Sequence, residues 1–192
     1  MPWSSFIAFA FATAFSPGVN CITSMAHGTK IGFKKSYPFN IGVSLGVIVV
    51  LTVSTLFSGT IMRVIPQFMM IMQAVGTAYL LWLAYGMLKH EGGFDSDKSG
   101  GATIRAGFFL QFINPKAYFY CITSMSTFVL PYTDNITTIV LAGAVLVVVG
   151  FLGTAAWAIF GSIFKKLFSK YAKITNAVLA LLLVYVAISI WL

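Results

Sequence analysis

Long runs of apolar residues interrupted by short polar punctuation dominate this chain. Val43 to Phe57 contains no charged residue, and comparable stretches recur to the C-terminus. Turn residues and charges divide the sequence into six apolar segments near 3–26, 38–60, 66–88, 106–130, 137–161 and 174–192. Each has about the 20 residues that a helix needs to cross a bilayer, and none alternates strictly as a barrel strand would. Inside lipid the backbone must satisfy its own hydrogen bonds, which a helix does within one segment. The pattern therefore predicts an all-α membrane protein with six transmembrane helices, forming a single transmembrane domain over 1–192.

The distribution of charge adds orientation. Only 8% of the residues are charged against 59% hydrophobic, far below the roughly 25% charge of a soluble coat. Ten of the twelve Lys and Arg fall in three segments between spans: Lys30, Lys34 and Lys35; Lys89, Lys98 and Arg105; Lys165, Lys166, Lys170 and Lys173. The opposite side offers only Arg63, so these segments are expected in the cytoplasm and both termini outside, on the periplasmic side. The net charge of +8 then describes topology and contact with anionic lipid, as in the basic stretch from Phe164 to Lys170, and implies no nucleic-acid partner. Phe6 to Phe15 has no basic region before it and reads as part of the first span.

The longest polar segment, His90 to Gly101, splits the chain into three spans plus three: repeat 1 over 1–89, a cytoplasmic linker over 90–104 and repeat 2 over 105–192. With an odd number of spans per half, any similarity between halves is an inverted repeat. Cys21-Ile22-Thr23-Ser24-Met25 does recur as Cys121-Ile122-Thr123-Ser124-Met125, each after an interior proline, Pro17 or Pro115. A proline inside a helix lacks an N–H and clashes with the carbonyl four residues back, so the first and fourth helices should break at Pro17 and Pro115. Ser16-Pro17-Gly18 and Asn114-Pro115-Lys116 each place a capping residue before a proline, as at a fresh helix start. Two half-helices should begin there, with free N–H groups at Gly18, Val19 and Asn20 and at Lys116, Ala117 and Tyr118.

Lys116 sits near the middle of the fourth span, where a lysine costs about 2.5–3.5 kcal/mol on insertion scales. All four acidic residues, Glu91, Asp95, Asp97 and Asp134, lie outside the spans. Lys116 is thus a snorkelling residue, the partner of a substrate carboxylate, or a group that exchanges protons during a transport cycle. Pro17, Gly18, Asn20, Asn114, Pro115 and Lys116 form the candidate substrate site, Asn20 standing equally as a helix-packing residue. Tyr79, Trp82, Tyr118 and Tyr120 offer π faces that serve packing equally well. Gly42 and Gly46 form a Gly-x-x-x-Gly pair suited to close helix approach. Cys21 and Cys121 keep a second reading open, a transmembrane thiol-disulfide electron carrier, although neither lies in a Cys-x-x-Cys motif. His27 and His90 have no metal-ligand companions, so neither a metal nor another cofactor is expected.

Through Ser16-Pro17-Gly18-Val19-Asn20, Asn114-Pro115-Lys116, Gly76 to Ala84 and Gly107 to Ile113, the chain resembles the lysine-exporter (LysE/RhtB) family of bacterial amino-acid exporters over essentially its full length. Ser126 to Pro131 and Asn176 to Tyr185 are similar to the branch that exports cysteine and O-acetylserine. Val19 stands where the family's Pro-Gly-Pro-Asn motif has its second proline. The resemblance implies a secondary transporter, not an enzyme, in the bacterial inner membrane. It would export small neutral amino acids or derivatives by alternating access, driven by the proton gradient or membrane potential. Proton coupling and a homo-oligomeric assembly are carried as expectations.

Overall fold

The computed structural model describes residues 1–56, 58–89, 102–164, 170–189 and 191. Among them there is no strand, and the chain forms eight α-helices. These are α1 (Trp3–Phe15), α2 (Val19–Ile31), α3 (Phe33–Leu56), α4 (Ser58–Lys89), α5 (Ile104–Leu110), α6 (Pro115–Thr123), α7 (Ile136–Ile163) and α8 (Ala172–Ser189). A 3-10 turn, Gln111–Ile113, continues α5, and a π-helical stretch, Ser124–Val129, continues α6. Among the described residues α3 and α7 are each long and apolar enough to cross a membrane; α1 and α2, bent by 51° at their break, make a third span if taken together.

Local chemistry sets the helix ends. Gly32 adopts φ 81°, a conformation that an L side chain would resist, and its N–H closes α2 on the Gly28 carbonyl at 3.0 Å before α3 begins at Phe33. Thr103 caps α5 by accepting from the Ala106 N–H at 3.2 Å. Asn135 starts α7 by accepting from the N–H groups of Thr137 and Thr138. Three boundaries differ from the sequence reading. Helix α3 begins at Phe33 rather than 38, which puts Pro38 inside it, and ends at Leu56 rather than 60; α4 begins at Ser58 rather than 66, so the gap read between 60 and 66 is helical. Most of the 90–104 linker and of the basic segment after Phe164 lies outside the described residues.

Packing is crosswise. The broken pair α1 and α2 lies against α7, whereas α5 and α6 lie against α3, and α4 pairs with α8. Every residue from Cys21 to Gly28 is buried, so α2 has no face left for lipid and runs through the centre. The outward faces expose Phe11, Ile48, Leu141, Val148 and Leu181, an apolar surface that suits hydrocarbon rather than water. Close approach depends on missing side chains at two crossings. A Cβ on Gly42 would overlap the Ile104 carbonyl oxygen of α5, and one on Gly28 would overlap the Ala158 carbonyl oxygen of α7.

Candidate functional site

The site is built where two helices stop and restart. Ser16, restricted by the following proline, is extended at φ −66° and ψ 147°, and Gly18 is extended as well. Ending α1 inside the bundle strands its last carbonyls, and each finds a specific donor. The Ser16 hydroxyl donates to the Thr13 carbonyl at 2.9 Å, the Cys21 thiol to that of Ala14 at 3.4 Å, and the Trp157 indole to that of Phe15 at 3.1 Å. The Lys116 ammonium takes the rest: it donates to the Ser16 carbonyl at 2.7 Å, the Ser16 hydroxyl at 2.9 Å and the Pro17 carbonyl at 3.4 Å. A cation at the negative end of α1 is the favourable arrangement for the helix dipole.

The second break follows its sequence expectation closely. Asn114 occupies the cap position, its side chain accepts from the Lys116 N–H at 3.1 Å, and Pro115 is the first helical residue. The first break departs from expectation: α2 restarts at Val19 with Gly18 in the cap position and no side-chain cap, two residues later than Ser16-Pro17 suggests. Ser16 does not cap because its hydroxyl is turned back onto α1 and toward Lys116. Lys116 does not snorkel, since its stem crosses to the other break and its ammonium ends there. Gly18 makes room for it, as a Cβ there would lie 2.9 Å from Lys116 Cδ and Nζ.

Four of the six predicted site residues, Gly18, Asn20, Asn114 and Lys116, line one cavity of about 50 Å³. Val43, Val47, Tyr120 and Gly150 give it apolar walls, and Cys21 and Thr154 complete its polar side. Pro17 enters through its carbonyl alone, and Pro115, buried, does not line the cavity. Two helix restarts and one lysine thus meet at a common cavity, and free N–H groups beside a cation make an environment that favours an anion.

Residues 11–192 match the family described as LysE type translocator. The chain belongs to that family. As a LysE type translocator the chain is a transporter and not an enzyme. It is 34% identical over 188 residues to the cysteine/O-acetylserine efflux proteins of Escherichia coli (strain K12) and Shigella flexneri, covering 98% of this chain and 96% of each relative. No solved structure matches it.

Several polar groups of this LysE-type site escape a reading of the sequence alone. Gln111 is fully buried and forms a reciprocal amide pair with Asn20, at 2.8 and 3.1 Å, while also donating to the Gly107 carbonyl at 2.9 Å. Its one signal is an amide inside an apolar span, which must find partners. One turn beyond Asn20, the Ser24 hydroxyl donates to Asn40 Oδ1 at 2.8 Å; both residues are fully buried, and Asn40 Nδ2 has no partner among the described residues. Tyr120 is a packing residue, donating to the Leu146 carbonyl at 2.9 Å. Tyr79 and Trp82 lie beside each other at 5.9 Å, away from the cavity lining. His27 is buried against Phe39, ring centres 5.0 Å apart. Cys21 and Cys121 are buried free thiols.

Proposed function

We propose that the protein is a secondary exporter of small neutral amino acids or their derivatives, of the cysteine and O-acetylserine kind, working by alternating access in the bacterial inner membrane. The single observation that carries this reading is Lys116, which binds one half-helix break while belonging to the other. Six spans are assigned as α1 with α2, α3, α4, α5 with α6, α7 and α8, in two inverted repeats. Support comes from the interior prolines at both breaks and from the crosswise packing of each broken helix on a long helix of the other half. In the transport cycle a substrate carboxylate takes the Lys116 ammonium and the free N–H groups at the start of α2, and the halves rock about that contact. Driving force comes from the proton gradient or membrane potential. The relatives' names support the substrate class.

The test is uptake of labelled amino acids into inverted vesicles, as a panel with and without a proton gradient. Cysteine, O-acetylserine, serine and homoserine are expected to accumulate; a flat response across the panel overturns the exporter reading.

Two further outcomes are expected. Cysteines introduced at Lys34, Ser99 and Lys170 should be shielded from an impermeant thiol reagent in whole cells, because basic residues concentrate on their side. Labelling of all three from outside would reverse the topology. Replacing Cys21 and Cys121 together by serine should leave substantial export, since serine keeps size and hydrogen bonding while abolishing thiol exchange. Complete loss in a well-inserted double variant would instead favour an electron carrier.

A further inference from the structure

The Lys116 ammonium is itself a primary ammonium bound at three oxygens, the carbonyls of Ser16 and Pro17 and the Ser16 hydroxyl. These oxygens are the end of α1 and have no acidic side chain beside them in the cavity lining. If a substrate carboxylate draws Lys116 away, they lose their donor, and at the half-buried Ser16 carbonyl an unpaired oxygen is costly.

Resting on the exporter reading above, we infer that the Ser16 and Pro17 carbonyls and the Ser16 hydroxyl form an ammonium subsite. Lys116 occupies it in the absence of substrate, and the substrate's own α-ammonium replaces Lys116 there during transport. The exchange conserves both charge and hydrogen bonds. A zwitterion adds no net charge: its carboxylate pairs with the displaced Lys116 and its ammonium restores the donors at the end of α1. An acid without an amine pulls Lys116 off and leaves the carbonyls orphaned. An amine without a carboxylate must expel a like charge and offers it no partner. A dication brings a second uncompensated charge. The subsite therefore selects molecules with an amine and a carboxylate on one carbon, and the apolar walls at Val43 and Val47 favour a small side chain.

The experiment is ligand-induced thermal stabilisation of the purified protein in reducing buffer, with a series that holds the thiol constant: cysteine, cysteamine (no carboxylate), 3-mercaptopropionate (no amine) and N-acetylcysteine (amine blocked). Cysteine should bind at least tenfold more tightly than each of the other three. In Lys116→Met the subsite is released from its resident cation, so cysteamine should bind more tightly than it does to the parent, and at least as tightly as cysteine. Equal binding of cysteine and 3-mercaptopropionate to the parent removes the ammonium subsite and leaves the exporter reading standing. The same follows if Lys116→Met folds and gains nothing for cysteamine. Failure of all four compounds to stabilise the parent removes both.

Discussion

Lys116→Met is expected to lower export by tenfold or more while the protein still reaches the membrane in near-parent amounts. Two effects on stability oppose one another. Removing a lysine from mid-span relieves an insertion cost of about 2.5–3.5 kcal/mol, and stranding the half-buried Ser16 carbonyl costs about 1–3 kcal/mol, the Pro17 carbonyl being exposed. The two offset in large part, so abundance should not fall. Transport has no such compensation, because one charge-assisted contact to a carboxylate is worth about 1.5–3 kcal/mol, a factor of ten or more. Initial rates in inverted vesicles, normalised to the amount of inserted protein, separate the two. Normal export by a normally abundant variant makes Lys116 a structural cap for α1 and nothing more. A loss of export no larger than the loss of folded protein leads to the same conclusion.

What could be read from the sequence here was local, and what could not was a matter of partners. Pro17 and Pro115 break their helices because the steric and hydrogen-bonding consequences of proline fall within four residues. Asn114 before Pro115 caps as expected for the same reason: donor and acceptor are two residues apart. The Ser16-Pro17-Gly18 step looked equivalent and is not. Its cap residue is claimed by Thr13 on its own helix and by Lys116, 100 positions away, and no local rule contains the second claim. Asn20 and Gln111 present the same difficulty, since each is an ordinary amide until the crossing of their helices brings them within 2.8 Å. The helical stretch around Arg63 is not legible in the sequence because a charge and a proline nearby look like a turn, whereas α4 continues through Pro66.

Gly42→Leu is expected to cost the most in folded protein. At this crossing the backbone of α3 meets the backbone of α5 at Ile104, and a side chain on Gly42 would overlap a carbonyl oxygen that has no rotamer by which to yield. Relief requires moving α5 as a body, and overpacking of this kind costs about 1–3 kcal/mol or more. For a chain of this size that corresponds to a melting temperature lower by about 2–10 °C, or to failure to accumulate. Gly86→Ala supplies the contrast: a Cβ there meets nothing within 4 Å, and the helix gains roughly 1 kcal/mol in propensity. Because α5 runs directly into Gln111, displacing it also pulls apart the Asn20–Gln111 pair beside the cavity. Whatever Gly42→Leu protein does fold should therefore export less per molecule, while Gly86→Ala exports as the parent does. Thermal unfolding of the two purified variants decides the matter: equal melting temperatures would mean that α3 and α5 do not meet at Gly42 and that the packing around the second break is wrong.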